Sequence, residues 1–450
     1  MKKLKIATIV FLGAAGICLC ALLFLALSGT GFGRGGNGKE GEHGADAGVS
    51  GLRKEDYALV LEKEFAPEDI RSLKIDYGMT FNDVYFYQGE AESVLIREYM
   101  NFTPSEKQIS GAEVNEGCLL VKGARRRNFG FFFTGTRDAY TEIYLPADTA
   151  GQMEDVYVKT VSGEIVSDSP FAVQNTFQIS STSGDLRFPE VRAAEIRMSS
   201  TSGNIRVETL QAVKTSVSTT SGDIGVGRAE SEMGISSVSG GVALDWVRGD
   251  TVVSTTSGDI GLGETEGALN LSSTSGNFTL ERADGSIDVS TTSGDISLGE
   301  VEGDMDLSST SGIVRLRKGS GRFEGETSSG DIRLEELEGA FSLSTSSGDV
   351  LLVSGKGCGT AETISGDVEI VLRDLEGDVT ISTTSGNVDM VLPEAASFTL
   401  NFDSASGGCS TFFDEMLSFN KKGNHAEGQY GSGENAVRVS TASGDLRMMK

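Results

Sequence analysis

Between residues 222 and 366 the chain repeats one alternation of apolar and polar positions. Its marker is Ser-Gly, with the glycine at 163, 184, 203, 222, 240, 258, 276, 294, 312, 330, 348, 366, 386, 407 and 444. From Gly222 to Gly366 every interval is 18 residues, so the repeat is the organising unit. Before the marker, Met305, Leu307 and Ser309 alternate with Asp306, Ser308 and Thr310, the period of two expected of a half-buried strand. After it, Ile296-Ser297-Leu298 shows a second short alternation. Glu302-Gly303 then supplies a second turn. Each coil is therefore expected to hold two short strands and two turns.

Four inward columns follow from this register. Seven residues before the marker stand Leu269, Ile287, Met305, Phe323 and Phe341, and five before it Val253, Leu271, Val289, Leu307 and Leu343. Two after it stand Ile260, Phe278, Ile296, Val314, Ile332 and Val350, and four after it Leu262, Leu280, Leu298, Leu316, Leu334 and Leu352. A single coil cannot bury these faces. Stacking buries them, with each strand pairing to its equivalent about 4.8 Å away. A Ser or Thr stands three before every marker, and alternation points it inward near the corner. The predicted fold is all-β: a single-stranded parallel β-solenoid (β-helix) with 18-residue coils, wound right-handed as parallel crossovers usually are.

The ends break the pattern. Lys2, Lys3 and Lys5 precede the apolar run Ile6–Leu27, long enough for the ~20 residues of a spanning helix. The lysines place its start in the cytoplasm and the rest outside. The division expected is a membrane anchor or signal segment (1–28), a Gly-rich tether (29–51), a strand-rich N-terminal cap with the first coils (52–150), the regular solenoid (151–394), and C-terminal coils and cap (395–450). The expected location is the cell membrane, single-pass, with an extracytoplasmic body. Cleavage near Ala26-Leu27-Ser28, releasing a secreted form, is the alternative. In the C-terminal part, Phe412–Phe419 is apolar enough to cover the last open coil.

Composition narrows the function. Glycine is abundant at 59 and proline sparse at 6, without the every-third-residue glycine of collagen. The net charge of −27 disfavours nucleic acid as a partner. Five scattered cysteines make neither a disulfide framework nor a metal motif.

The strand-rich stretch Lys74–Tyr99, the strand ending Ile143-Tyr144-Leu145-Pro146, the step Val158–Ile165, the Ser-Thr-Thr-Ser-Gly-Asp-Ile runs and the final Val439–Leu446 carry a resemblance. Through them the chain resembles the bacterial putative adhesin family of β-strand-repeat envelope proteins over most of residues 60–450. The resemblance implies an extracytoplasmic solenoid with no known catalysis. Some relatives stand near envelope-stress signalling systems, which implies an accessory role at the envelope.

Candidate sites each have a plainer reading. The Asp column after the marker (Asp223, Asp259, Asp295, Asp331, Asp349, Asp367) invites calcium, yet lacks the glycine pattern of calcium nonapeptides. Turn chemistry explains it better. The Ser-x-Thr ladder from Ser218/Thr220 to Ser308/Thr310 is a polar face suited to water or glycans, without aromatic residues to stack on sugars. Arg248-Gly249-Asp250 spells an integrin-type tripeptide in the ordinary second turn. The most unusual stretch holds Arg125, Arg126, Arg127, Phe129, Phe131, Phe132 and Phe133, either a loop covering the first coil or a contact with a partner or membrane. His43 and His425 sit in the tether and the C-terminal insertion, so neither anchors a catalytic triad. No catalytic, metal or cofactor residues are expected. The expected function is a non-enzymatic, adhesin-like or scaffold module binding a protein or an envelope polymer. The alternatives are an accessory regulator in envelope-stress signalling and a polysaccharide-active β-helix enzyme.

Overall fold

The computed structural model describes residues 56–78, 82–89, 91–124, 138–147, 149–413, 417–419 and 423–450. In the rung after Gly258, strand Ile260–Glu266 buries Ile260 and Leu262 and turns Gly261 and Gly263 away from the core. The alternation then slips by one residue. Glu264 stays exposed and Thr265 turns inward, 3% exposed. The wall has bent inside a continuous strand. At Gly267, φ is +126°, a conformation few side chains tolerate, and the chain turns again. Leu269–Ser273 then buries Leu269 and Leu271.

The inward columns expected from the sequence are all present, and the structure adds one more. Seven residues after the marker, Val247, Thr265, Ala283, Val301, Gly319 and Leu337 also face the interior. The fold is an all-β parallel solenoid of about 13 turns with ~18-residue coils and almost no helix. Every strand of the array pairs in parallel with its equivalent one rung on. Ile260 lies opposite Phe278, Leu269 opposite Ile287 and Ile296 opposite Val314.

The marker glycine answers a different demand from the second one. A Cβ built on Gly294 would lie 2.0 Å from the Gly276 carbonyl oxygen, so successive corners are nearly in contact and admit no side chain. The hydroxyl three residues earlier tightens this corner. Thr219 Oγ1 accepts the Gly222 N–H (3.1 Å) and donates to the Gly203 carbonyl one rung below (3.4 Å). Ser200 makes the same two bonds, to Gly203 and Gly184, at 2.9 and 3.3 Å. Two backbone groups that would otherwise be buried unmet are satisfied by one side chain.

At both ends, the order in space departs from the order in sequence. At the N-terminal end, Cys118–Lys122 and Ala139–Pro146 are followed by Ser72–Asp76 and Asp83–Gly89. Asp155–Lys159 and Ile165–Ser167 come next. The earliest rung in the chain is thus sandwiched between two later ones. At the C-terminal end, Asn435–Ser443 and Leu446–Met449 insert between the rung of Val379–Val391 and that of Phe398–Thr411. Within the expected C-terminal coils and cap (395–450), residues 435–449 thus build the penultimate rung. Stacking depends on which edge is open, and a strand added later in the chain can fill a space left earlier.

Antiparallel strands then cover both outer edges. Val94–Met100 pairs with Ala139–Pro146, and Ala58–Phe65 pairs with Val94–Met100. His425–Tyr430 pairs antiparallel with Phe398–Ser404, and Leu417–Phe419 pairs with His425–Tyr430 in turn. Covered edges no longer template pairing with another chain. In the expected cap segment, Phe413 is buried against Phe398 and Tyr430, while Phe412 is 73% exposed. Cys118, Cys358 and Cys409 are free thiols, so the ladder is not stapled there. Among the described residues no helix is long and apolar enough to cross a membrane. The expected spanning run Ile6–Leu27 and tether 29–51 lie outside them.

Candidate functional site

The inserted N-terminal rung brings together residues that are far apart in sequence. Within Asp83–Gly89, Val84 and Phe86 point inward, so Asp83, Tyr85 and Tyr87 share the outer face. The neighbouring strand pairs Asp83 with Tyr140, Tyr85 with Glu142 and Tyr87 with Tyr144. The next strand sets Tyr99 beside Tyr140 and Arg97 beside Glu142. Tyr87 and Tyr144 stack with ring centroids 5.0 Å apart, and Tyr99 and Tyr140 at 4.7 Å. Tyr57 and Tyr85 meet Tyr140 edge-on, at 5.1 and 6.0 Å. Such pairs are the favoured geometries for aromatic rings. The Arg97 guanidinium lies 5.5 Å from the Tyr144 ring centroid and bonds Glu62 at 2.8 Å.

Burial dominates the electrostatics of this face. It raises the Tyr85 and Tyr140 phenols well above their ordinary range and pushes Tyr144 up to about 12. Tyr144 Oη donates to Glu142 Oε2 at 2.9 Å. Tyr85, Tyr140 and Tyr144 therefore stay neutral at physiological pH. Burial also pushes Asp83 up to about 6, against the Glu164 N–H that donates to its Oδ1 at 2.8 Å. Burial raises Glu164 as well.

The same face continues along the column. Tyr85 lies opposite Val166, then Arg187, Arg206, Gly225, Ala243 and Gly261 follow in register. Because the last three side chains are so small, the surface sinks into a trough of about 610 Å³. Arg187 and Arg206 stand at the head of this same column, and Asp185, Asn204, Asp223 and Asp259 line one edge, two residues before it on each rung. Arg187 reaches Glu164 and Asp185 only at 3.5 Å each. A second trough of about 410 Å³, with Asp389, Ser410 and Arg447, occupies the same columns at the far end.

The sequence-derived candidates fall elsewhere. Arg125, Arg126, Arg127, Phe129, Phe131, Phe132 and Phe133 lie outside the described residues. The Asp column is backbone chemistry. Asp259 Oδ1 accepts the Asn277 N–H at 2.8 Å, Asp331 that of Asp349 at 3.0 Å, and Asp367 that of Asn387 at 2.7 Å. No cluster able to hold a metal ion occurs among the described residues. In the integrin-type tripeptide both charges are engaged. Arg248 pairs with Glu266 at 2.8 Å, and Asp250 Oδ1 accepts the Ala268 N–H at 3.0 Å. Gly249, with φ +129°, is the second-turn glycine of its rung. His425 pairs with Asp403 at 2.6 Å on the covering strand. The Ser-x-Thr face is interrupted by exposed Ile364. Sequence reasoning noted the strands bearing Tyr85, Tyr87 and Tyr144. Only the register put their rings on one face.

The rung geometry agrees with a family profile that matches three overlapping stretches, residues 70–300, 267–353 and 321–448. The chain belongs to the Toastrack DUF4097 family. The kinship with adhesin-like repeat proteins expected from its strands is thereby borne out. Solved structures similar to this Toastrack chain include a putative cell adhesion protein from Clostridium sporogenes. It is 9% identical, covers 86% of this chain and 97% of its own, and has a TM-score of 0.16. A putative adhesin from Parabacteroides merdae is 12% identical over 66% of this chain and 95% of its own, with a TM-score of 0.24. A putative lipid binding protein from Parabacteroides distasonis is 14% identical over 75% and 98%, at 0.22. No curated protein matches the chain.

Proposed function

We propose that this Toastrack solenoid is a non-enzymatic, adhesin-like surface module that binds an envelope polymer or protein through the outer face of its N-terminal rungs. The observation that carries this reading is the convergence of half-buried Tyr85, Tyr87, Tyr99, Tyr144 and Arg97 on one sheet face, around the buried Tyr140 and Glu142. Tyrosine combines a large apolar ring with a polar tip at low entropic cost, and such rings dominate recognition surfaces. Ile6–Leu27 anchors the module in the cell membrane and residues 29–51 tether it, so the right-handed column stands outside the cell. The acidic surface keeps copies apart and nucleic acid away.

Binding to isolated cell envelopes tests the reading. Full-length protein in detergent should sediment with envelopes, and Tyr85→Ala with Tyr87→Ala should lower the retained fraction at least fivefold. Equal retention of the double variant, with the fold intact by circular dichroism, would remove the tyrosine face from the proposal.

A further inference from the structure

The trough beside the tyrosine face has a chemistry of its own. Arg187 and Arg206 stand on consecutive rungs with their guanidinium groups exposed. Arg206 makes no ion pair or side-chain hydrogen bond among the described residues, on a chain of net charge −27. Its Nε lies 3.9 Å from where a Gly225 Cβ would be, so its side chain runs along the trough floor. Elsewhere in the same column the arginines are engaged, Arg187 itself with Glu164 and Asp185 at 3.5 Å each. Arg315 pairs with Asp295 at 3.2 Å and Arg333 with Asp331 at 2.6 Å. A cation left unpaired among so many carboxylates marks a place for an anion from outside.

The carboxylate edge sets the rest of the ligand. Asp185, Asp223 and Asp259 each commit Oδ1 to a backbone N–H, at 2.8 Å in all three cases. The other oxygens of Asp223 and Asp259 remain to accept from a hydroxyl-rich ligand, while that of Asp185 faces Arg187 at 3.5 Å. A bare polyanion such as nucleic acid would be repelled by that edge. A polymer carrying both carboxylates and hydroxyls satisfies the arginines and the carboxylate edge together. The spacing agrees, because rungs repeat every ~4.8 Å, close to the length of one pyranose unit. One sugar can sit over each rung, and two successive carboxylates can face Arg187 and Arg206. Further along, the tyrosine face offers rings for the sugars' C–H faces.

We infer that the column from Tyr85 through Arg187 and Arg206 to Gly261 is a binding track for an acidic, uronate-containing polysaccharide, laid along the solenoid axis. This inference rests on the surface-binding reading above and names its ligand class. The trough lies on the face of the sheet and not at a strand edge, so it offers no unpaired backbone to an extended peptide.

The test is titration of full-length protein in detergent with eight-sugar oligogalacturonate and with oligomannuronate. Carboxyl-reduced versions and poly-glutamate serve as comparisons. At least one uronate should bind, with affinity falling tenfold or more on carboxyl reduction. Arg187→Gln with Arg206→Gln should cost a similar factor, while Arg333→Gln further down the column should change nothing. Failure of both uronates, binding indifferent to carboxyl reduction, or equal affinity for poly-glutamate would overturn the inference. The envelope assay above separates the two readings. Retention on envelopes that persists in the double arginine variant and is lost with the tyrosines sinks the track and leaves the surface module standing.

Discussion

The middle of the solenoid and its two ends are built from the same strands under different rules. In the array, each residue meets its own counterpart 18 positions away, and all pairings are parallel. At the ends, rungs are stacked out of chain order and closed by antiparallel strands. The pairs of aromatic rings seen among the described residues lie toward the ends, within 57–188 and 398–430. Buried polar side chains such as Asn82, Glu98 and Glu142 sit in the N-terminal end. Glu98 is fully buried yet held by the Ser110 N–H and hydroxyl at 2.9 and 2.6 Å. The array obtains stability by repeating nearest-neighbour contacts. The ends obtain shape through contacts that cross the sequence.

The sharpest break of this comparison is removal of residues 435–450. Without them, Phe398–Ser404 loses its parallel neighbour and the buried Phe398 and Phe402 lose their floor. Hydrogen exchange should show protection lost throughout 398–430 and retained from 222 to 366. Protection surviving in 398–430 would mean that the inserted rung does not hold the end. Within the array, the next largest effect comes from Gly294→Ala, whose Cβ would meet the Gly276 carbonyl. It should cost more than about 4 kcal/mol. Gly261→Ala faces open space and should change stability by less than about 1 kcal/mol. Urea unfolding of the two variants distinguishes corner glycines from face glycines.

A smaller effect probes the corner hydroxyl. Thr219→Val keeps the shape but leaves the Gly222 N–H and the Gly203 carbonyl without their partner. A loss of about 1–2 kcal/mol is expected, with Thr219→Ser nearly neutral. An equal loss in both would point to packing and not to the hydroxyl.

These contrasts explain what could be read from the sequence. Columns that keep period two, such as Ile260/Leu262 and Leu269/Leu271, were legible because side chain and face alternate together. The column of Thr265, Ala283, Val301, Gly319 and Leu337 was hidden by the slip at Glu264 and by its changing size. Its members compensate their neighbours. A Cβ on Gly319 would touch the Met305 Cε at 2.9 Å, so the long methionine fills the space the glycine leaves. The inserted rungs left only an indirect trace, the long gap between Gly407 and Gly444. Which rung a strand joins is decided by open edges in space. For that reason the tyrosine face, which needs Tyr85 beside Glu142, could not be assembled from sequence order.

Acid should separate the two regions most finely. Asp83 has its pKa raised from 3.8 to about 6 by burial, so the folded N-terminal end holds a proton that the unfolded chain releases. Between those values the native state binds more protons, and stability must fall as pH rises. The N-terminal end should be about 1 kcal/mol more stable at pH 5 than at pH 7.5, and the raised Glu164 adds in the same direction. The array has the opposite sign. The Ile313 N–H, then Arg315, lowers Asp295. The stabilisation from that carboxylate is complete above its unfolded pKa and is lost as pH falls through the folded one. Trp246, the chain's one tryptophan, lies in the array, and the tyrosine pairs lie in the N-terminal end. Urea unfolding followed by tryptophan fluorescence and by tyrosine near-ultraviolet dichroism therefore reads each region separately. The tyrosine transition should move to higher urea on going from pH 7.5 to 5, and Asp83→Asn should flatten that shift while leaving the tryptophan transition in place. If both probes moved together with pH, the two regions would be one cooperative unit and the distinction between additive array and interlocked end would fail.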